Sequence, residues 1–244
     1  DVISVASLAA ACATIGLVSL LRRRFALAIA ILTAIGVANV LTQLLKRVML
    51  ERPELTGTGD LNSLPSGHAT VAATVAVGVV AVSAPRWRSM VALVAWLFPG
   101  AVGVAVVIAG WHRPSDSIAA FCVVLGVTAA ALACVVAVFG FDHGERPSAW
   151  FRRSVLTLVG IVIAVLVALS LAGLWLVRDQ LRDGDLSARW DSVAFASAAA
   201  AIFAGAGLML LLLVASVRGM AIGHGGWHRD AIAEAEAPAT VDSP

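Results

Sequence analysis

The sequence predicts an all-α fold, a polytopic bundle of seven transmembrane helices. Of its 244 residues, 60% are hydrophobic and 13% are charged, and the mean hydropathy is +0.95. An ordinary soluble domain is excluded, because too little polar surface remains to face water. A bilayer core of about 30 Å requires about 20 residues of helix. Seven uncharged stretches approach or exceed that length, the third once residues 66–68 are added as its first turn: 2–21, 25–45, 69–84, 89–111, 117–141, 154–177 and 192–217.

The seven stretches divide the chain into three regions. Residues 1–139 hold the first five predicted spans, and residues 140–217 hold two more, joined by a polar outer loop at 178–191 with Gly184 as a helix breaker. Part of this loop is expected to form an interfacial helix. Residues 218–244 are rich in Ala, Glu, Gly and Pro and are predicted to form a disordered tail. The first stretch is too long and continuous for a secretory signal, so we expect it to be a resident span.

The distribution of basic residues predicts how the helices are oriented. Ten arginines lie on the side where the first, third, fifth and seventh stretches end, and seven basic residues lie on the other side. The positive-inside rule makes the first side cytoplasmic. Asp1 and the segments around His68 and His112 are therefore predicted to face the extracytoplasmic side of the cell membrane, with the C-terminus in the cytoplasm. The amino-acid composition, which is rich in Ala, Val and Arg and poor in Lys, is typical of a protein from a bacterium with a GC-rich genome.

Other candidate ligands and partners are few. Cys12, Cys122 and Cys134 lie within apolar stretches, which favours small buried side chains over disulfides or metal ligands. His224 and His228 have a metal-like spacing but lie in the predicted tail, and no metal site is predicted. The net charge of +2, without a basic stripe, does not predict a nucleic-acid partner, whereas the apolar spans predict contact with membrane lipids.

The segment PSGH, residues 65–68, stands at the start of the third stretch. Ser66 is a suitable N-cap, Gly67 permits close approach of a ligand to the backbone, and His68 falls in the first helical turn. The free N–H groups and the positive dipole end at the start of a helix bind anions. The segment therefore predicts an anion site that includes an imidazole.

The segment HRPSD, residues 112–116, precedes the fifth stretch on the same predicted side. Pro114 suits the first turn of a helix, which places His112 just before the helix and Asp116 within it. A carboxylate at this spacing can accept the Nδ1 proton of the histidine and leave Nε2 as a nucleophile or base. His68 is then available to protonate a leaving alkoxide. Together, the two segments indicate phosphate chemistry.

Lys46 is the only lysine in the chain, and it closes the second stretch six residues before Arg52. A lysine ammonium binds phosphate as a point charge, and an arginine offers a bidentate fork. The alternative is an ordinary lysine that snorkels to the membrane surface. Because PSGH begins thirteen residues after Arg52, the phosphate-binding interpretation is favoured.

These residues resemble the three signature motifs of the type-2 phosphatidic-acid phosphatase superfamily. This superfamily includes integral-membrane lipid phosphate phosphatases and polyprenyl diphosphate phosphatases. The matching positions are Lys46 with Arg52 and Pro53, the segment PSGH, and His112 with Asp116. The resemblance covers roughly residues 25–138.

The resemblance implies a role for each of these positions. His112 attacks phosphorus and becomes a phosphohistidine, Asp116 orients it, and His68 protonates the leaving group. No metal or other cofactor is required. The phosphoryl oxygens are held by Lys46, Arg52, Ser66 and Gly67.

The implied function is a membrane-embedded, metal-independent phosphatase of a lipid phosphate or diphosphate. An isoprenoid carrier is the first candidate substrate and a glycerolipid phosphate the second. Two alternatives stay open. One is a catalytically degenerate member that binds lipid phosphate or scaffolds partners, and the other is a membrane haem protein with His68 and His112 as axial ligands.

The chain departs from the family pattern in three respects. The family lysine stands seven residues before the arginine, where this chain has Leu45, with its lysine one position later at Lys46. The family arginine six residues before the nucleophilic histidine is replaced by Val106; Arg113 either substitutes for it or is an interfacial charge. The first two motifs follow the second span and not the third, so we expect one core span upstream of Asp1 and two additional helices after the core.

Overall fold

All seven predicted helices are present, so the all-α class is confirmed. The computed structural model describes residues 5–22, 24–50, 62–143, 149–183, 187–217 and 220–222. The residues just before residue 50 form a π-helical segment, Leu45–Met49. The helices are α1 Val5–Leu21, α2 Phe25–Leu44, α3 Gly67–Val82, α4 Arg88–Ile108, α5 Pro114–Phe139, α6 Ala149–Asp183 and α7 Ala188–Ser216.

The chain is a multi-pass membrane protein. Among the described residues, five helical segments are long and apolar enough to cross a bilayer: Phe25–Met49, Arg88–Ile108, Pro114–Val138, Arg153–Gln180 and Arg189–Ser216. α1 and α3 are apolar but shorter, with 17 and 16 residues. α3 ends earlier than the predicted span because Ser83 adopts an extended conformation two residues before Pro85, and proline disfavours helical backbone in front of it.

α3 packs against α1, α2, α4 and α5. The side chains at its contacts are small, and Ala69, Ala73, Ala76 and Val80 are all buried. Small side chains let neighbouring helix backbones approach closely, which is a common basis of helix packing in membranes. This packing brings the N-terminal end of α3 next to the ends of α2 and α5, where the predicted motifs lie.

α7 packs against α4 and α5, so the region 140–217 contributes to the same core as the region before it. The indole Nε1 of Trp96 in α4 donates to the carbonyl oxygen of Phe203 at 2.7 Å. A Cβ added at Gly207 would lie 2.6 Å from the Trp96 ring. The boundary at residue 139 follows the sequence pattern, but the helices on its two sides are closely packed.

The outer segment 178–191, part of which is expected to be helical, is mostly helical. α6 continues to Asp183 and α7 begins at Ala188; Gly184 lies outside the described residues. Charged residues mark where the chain leaves the hydrocarbon core of the membrane. Helical hydrogen bonds continue past that point because Arg, Gln and Leu are good helix formers.

The prediction of a disordered tail from residue 218 is wrong for one short segment. Met220–Ile222, β2, pairs antiparallel with Phe141–His143, β1, with Asp142 opposite Ala221. The backbone groups of two short segments at the same end of the bundle satisfy each other through this pairing. The candidate metal pair His224 and His228 lies outside the described residues.

Candidate active site

The PSGH segment is fixed by hydrogen bonds at the start of α3. Ser66 is the N-cap, and its Oγ accepts the N–H of Ala69 at 3.3 Å, as its sequence position predicts. The Thr70 hydroxyl donates to the Ser66 carbonyl at 2.9 Å and lies 3.0 Å from the Thr42 hydroxyl of α2. Ser66, Thr70 and Thr42 are fully buried. The first turn of α3 is therefore held in place by α2.

The HRPSD segment starts α5 through a reciprocal cap. Pro114 is the first helical residue, as predicted. The N–H of Arg113 donates to Asp116 Oδ2 at 2.9 Å, and the N–H of Asp116 donates to the Arg113 carbonyl at 2.9 Å. The N–H of His112 donates to the Val106 carbonyl at 3.2 Å, which connects the end of α4 to the start of α5.

Asp116 joins the two motifs. Its main-chain carbonyl accepts the N–H of Ser66 at 3.0 Å, and its Oδ2 accepts the Ser63 hydroxyl at 2.6 Å. The same Oδ2 lies 3.3 Å from Nδ1 of His112. The Asp116 side chain is fully buried, and that of His112 is only 5% exposed. This geometry holds the His112 ring by Nδ1 and leaves Nε2 as the nitrogen that Asp116 does not contact.

His68 lies near the same group of residues. Both His112 and Lys46 are close enough to interact electrostatically with His68. The His68 ring also stacks obliquely on Trp111, with ring centroids 5.5 Å apart and an interplanar angle of 38°. Two imidazoles and the single lysine are thus gathered at one end of the bundle.

Lys46 reaches this end from the π-helical segment that follows α2. A π-helix is wider than an α-helix and usually occurs as a single turn, often at a functional site. Nδ2 of Asn62 donates to the carbonyls of Lys46 at 3.1 Å and Leu50 at 2.6 Å, which fixes the chain in front of PSGH to this turn. The one-residue shift from the family spacing therefore does not keep Lys46 away from His68.

Fewer contacts are described for the other predicted phosphate ligands, Gly67, Arg113 and Arg52. Gly67 begins α3, and a Cβ there would lie 3.4 Å from Nε2 of Gln43. Arg113 is half-buried next to His112. Arg52 lies outside the described residues. The roles of these three residues in binding phosphate stay predictions.

Val106 is packed inside the bundle. It is 4% exposed and lies on the buried side of α4 together with Trp96 and Gly103. The position at which the resemblance implies an arginine is thus filled by a packed apolar side chain. Arg113 is the nearest arginine in the sequence, and its role as a substitute stays a prediction.

Four residues of this site were not predicted from the sequence as site residues. Ser63 and Asn62 sit in a connecting segment without a recognisable motif, and Gln43 lies one turn before Lys46. Trp111 is next to His112 in the sequence, but aromatic residues at the ends of spans usually mark the membrane interface. The only sequence feature that could have identified each of these four residues is its closeness to a motif.

Within the described part of the chain, no group of three or more His, Cys, Asp or Glu side chains is arranged to hold a metal ion. Residues 25–140 match a family model described as the PAP2 superfamily. No curated protein and no solved structure matches the chain. The matched residues begin at the first residue of α2 and end just after α5, so they include every predicted site residue.

Proposed function

Because residues 25–140 of this chain belong to the PAP2 superfamily, we propose that it is a membrane-embedded phosphatase that hydrolyses a lipid phosphate or diphosphate through a phosphohistidine. Membership indicates phosphatase activity on phosphate esters; the lipid substrate and the covalent intermediate are the proposal. The contact of His112 Nδ1 with the buried Asp116 carboxylate carries it, since this contact prepares Nε2 for attack.

The proposed reaction has two displacement steps. In the first, Nε2 of His112 forms a bond to phosphorus, the bond from phosphorus to the leaving oxygen breaks, and His68 gives its proton to that oxygen. In the second, neutral His68 takes a proton from water, the water oxygen bonds to phosphorus, and the P–N bond breaks. Phosphate leaves, and both histidines return to their starting protonation states. Asp116 stabilises the cationic ring of the intermediate.

The phosphoryl group is held at the start of α3. The first-turn N–H groups of a helix lack partners within the helix, and those of Gly67 and His68 belong to this turn. Lys46 supplies a positive charge on the same side, close to His68. Arg113 and Arg52 complete the set of proposed ligands. These donors stabilise the charge that develops on the phosphoryl oxygens in the transition state.

A groove between α3 and α4 supports a substrate with an apolar tail. Its volume is about 520 Å³. On α3 the groove begins at Val75, seven residues after His68, which is roughly 10 Å along the helix axis. A lipid whose headgroup reaches His112 would place its chain along this surface, with an isoprenoid carrier as the first candidate. The groove is lined only by apolar residues, Val75, Ala76, Val79, Met90, Val91, Val94, Ala95 and Phe98.

We further propose that the site faces the extracytoplasmic side of a bacterial plasma membrane. The excess of arginines at the opposite end of the bundle supports this orientation. In this orientation, the headgroup of a substrate in the outer leaflet lies at the same depth as His68 and His112. The C-terminus is then cytoplasmic.

Phosphate release from purified protein tests the proposal. The detergent-solubilised chain with EDTA is expected to release phosphate from a polyprenyl diphosphate or a phosphatidate, and rapid quenching is expected to trap an acid-labile phosphoryl group. His112→Ala should abolish both signals. His143→Ala, in β1 at the other end of the bundle, is the matched control and should retain them. Lipid binding without turnover by the wild type would instead support a degenerate lipid-phosphate-binding protein.

A further inference from the structure

A second group of cationic side chains lies at the end of the bundle opposite His68. Arg22 follows α1, Arg24 is the N-cap residue of α2, and Arg88 is the first residue of α4. The 16-residue length of α3 separates this group from the histidines by roughly 24 Å. The group is therefore not part of the candidate active site.

Two of these arginines donate hydrogen bonds to main-chain carbonyls at the carboxyl-terminal ends of helices. Nη1 of Arg88 donates to the carbonyl of Val217 at 2.8 Å, just after α7. Nη1 of Arg22 donates to the carbonyl of Val82, the last residue of α3, at 3.4 Å. Carbonyl groups at a helix C-terminus carry partial negative charge and favour cations. Arg22 and Arg88 thus have acceptors within the protein.

Arg24 differs from its two neighbours. It is only 6% exposed, and its Nε and Nη1 are buried without a hydrogen-bond partner among the described residues. Burial lowers the pKa of its guanidinium, as does the nearby charge of Arg22. Arg88 also lies within electrostatic range of Arg24. A buried guanidinium is costly unless its N–H groups are paired, and two more cations nearby add repulsion.

We propose that Arg22, Arg24 and Arg88 form a binding site for a phosphate group, supplied by the headgroup of an anionic membrane lipid. An anion offers acceptors for the N–H groups of Arg24 and offsets the repulsion among the three guanidinium groups. Arg24 immediately precedes the span Phe25–Met49, at the depth where lipid headgroups lie. Arg22 is exposed and provides the solvent-facing part of the site.

Such a site would tie together parts of the bundle that are distant in sequence. Its arginines come from the α1–α2 connection and from α4, and they already contact the ends of α3 and α7. A bound phosphate would therefore stabilise the packing of these helices without touching the histidine site. The inference is independent of the proposed phosphatase activity.

The test compares variants in thermal unfolding of the detergent-solubilised full chain. Phosphatidylglycerol is titrated into phosphatidylcholine-containing micelles, and inorganic phosphate is titrated separately. Phosphatidylglycerol is expected to raise the unfolding midpoint of the wild type, and Arg24→Gln is expected to weaken this response roughly tenfold or more. Arg153→Gln is the matched control, because Arg153 is exposed at the same end of the bundle. It should respond as the wild type does.

The two titrations identify the source of the phosphate group. A response to phosphatidylglycerol alone assigns the site to a lipid headgroup, and an equal, Arg24-dependent response to inorganic phosphate assigns it to free phosphate. Equal responses of Arg24→Gln and Arg153→Gln, or no response of the wild type, would overturn the proposal. If Arg24→Gln does not fold, Arg22→Gln takes its place, and an unchanged affinity in that variant counts against the site.

Discussion

The N–H of Ser66 donates to the main-chain carbonyl of Asp116 at 3.0 Å. This hydrogen bond joins the N-cap of α3 directly to the first turn of α5, across 50 residues of sequence. Because both partners are main-chain groups, the contact fixes the relative position of the two backbones whatever the side chains do. The turn at residues 65–68 and the His112–Asp116 pair are therefore connected directly through the backbone.

Asp116→Asn tests whether this carboxylate orients His112. The amide removes the negative charge that stabilises the ring cation and allows the wrong ring tautomer, so kcat is expected to fall by about 10³- to 10⁴-fold with little change in KM. Steady-state phosphate release measures the effect. Asp179→Asn is the control, because Asp179 is exposed in α6 and pairs with its sequence neighbour Arg178. A kcat for Asp116→Asn close to that of the control would contradict the assigned role.

Ser63→Ala tests the residue that no motif identified. The substitution removes a donor 2.6 Å from the buried carboxylate of Asp116, and hydrogen bonds to charged groups contribute about 1.5–3 kcal/mol. Both the unfolding midpoint and kcat are expected to fall, kcat by roughly tenfold. Ser83→Ala removes a hydroxyl bond of equal length to the Val79 carbonyl at an exposed helix end, and it should leave kcat unchanged.

Lys46→Met tests the proposed point charge. Methionine keeps the apolar stem but removes the ammonium, so KM for a lipid phosphate is expected to rise by roughly tenfold or more because a charged contact to phosphate is lost. Arg47→Met, at the exposed neighbouring position, is the control for general changes in surface charge. Equal KM values for the two variants would mean that Lys46 acts only as a snorkelling residue.

The proposed role of His68 as the general acid predicts that kcat/KM falls at high pH. There His68 loses the proton that it donates to the leaving oxygen, so the first step loses its acid catalyst. His68→Ala should remove the high-pH decline. This variant should also retain much more activity on p-nitrophenyl phosphate, whose leaving group needs no proton, than on an alkyl phosphate. An equal loss on both substrates would exclude His68 as the general acid.

Gly207→Ala tests the packing of α7 on α4. A methyl group at Gly207 would lie 2.6 Å from the Trp96 ring, whose Nε1 is bonded to Phe203, so the ring has little freedom to move. The free energy of unfolding is expected to fall by about 1–3 kcal/mol. Gly126→Ala in α5 is the control, since no atom lies within 4 Å of a Cβ there. It should be neutral or stabilising, because alanine favours helix over glycine.

Much of the fold and the motif residues follow directly from local sequence. The uncharged stretches give seven helices because a long apolar segment satisfies its backbone in a membrane by forming helix. Ser66 and Pro114 mark the starts of α3 and α5 because capping chemistry depends only on a few neighbouring residues. The end of α6 and the start of α7 could not be located from the sequence. Charged residues mark where the chain leaves the apolar core of the membrane, but helical hydrogen bonding continues beyond that point.

The sequence by itself identified the candidate site residues: the single lysine, the two histidines and the small-residue turn. They could be identified because such groups are rare in a chain that is mostly apolar. What depended on three-dimensional packing was which of them meet. Ser63 reaches Asp116, and Trp111 stacks on His68, because helix packing sets these distances. Packing also buries Nε and Nη1 of Arg24 without an acceptor among the described residues. Contacts between residues far apart in sequence arise from the shapes of packed helices, and hydropathy and spacing carry no information about those shapes.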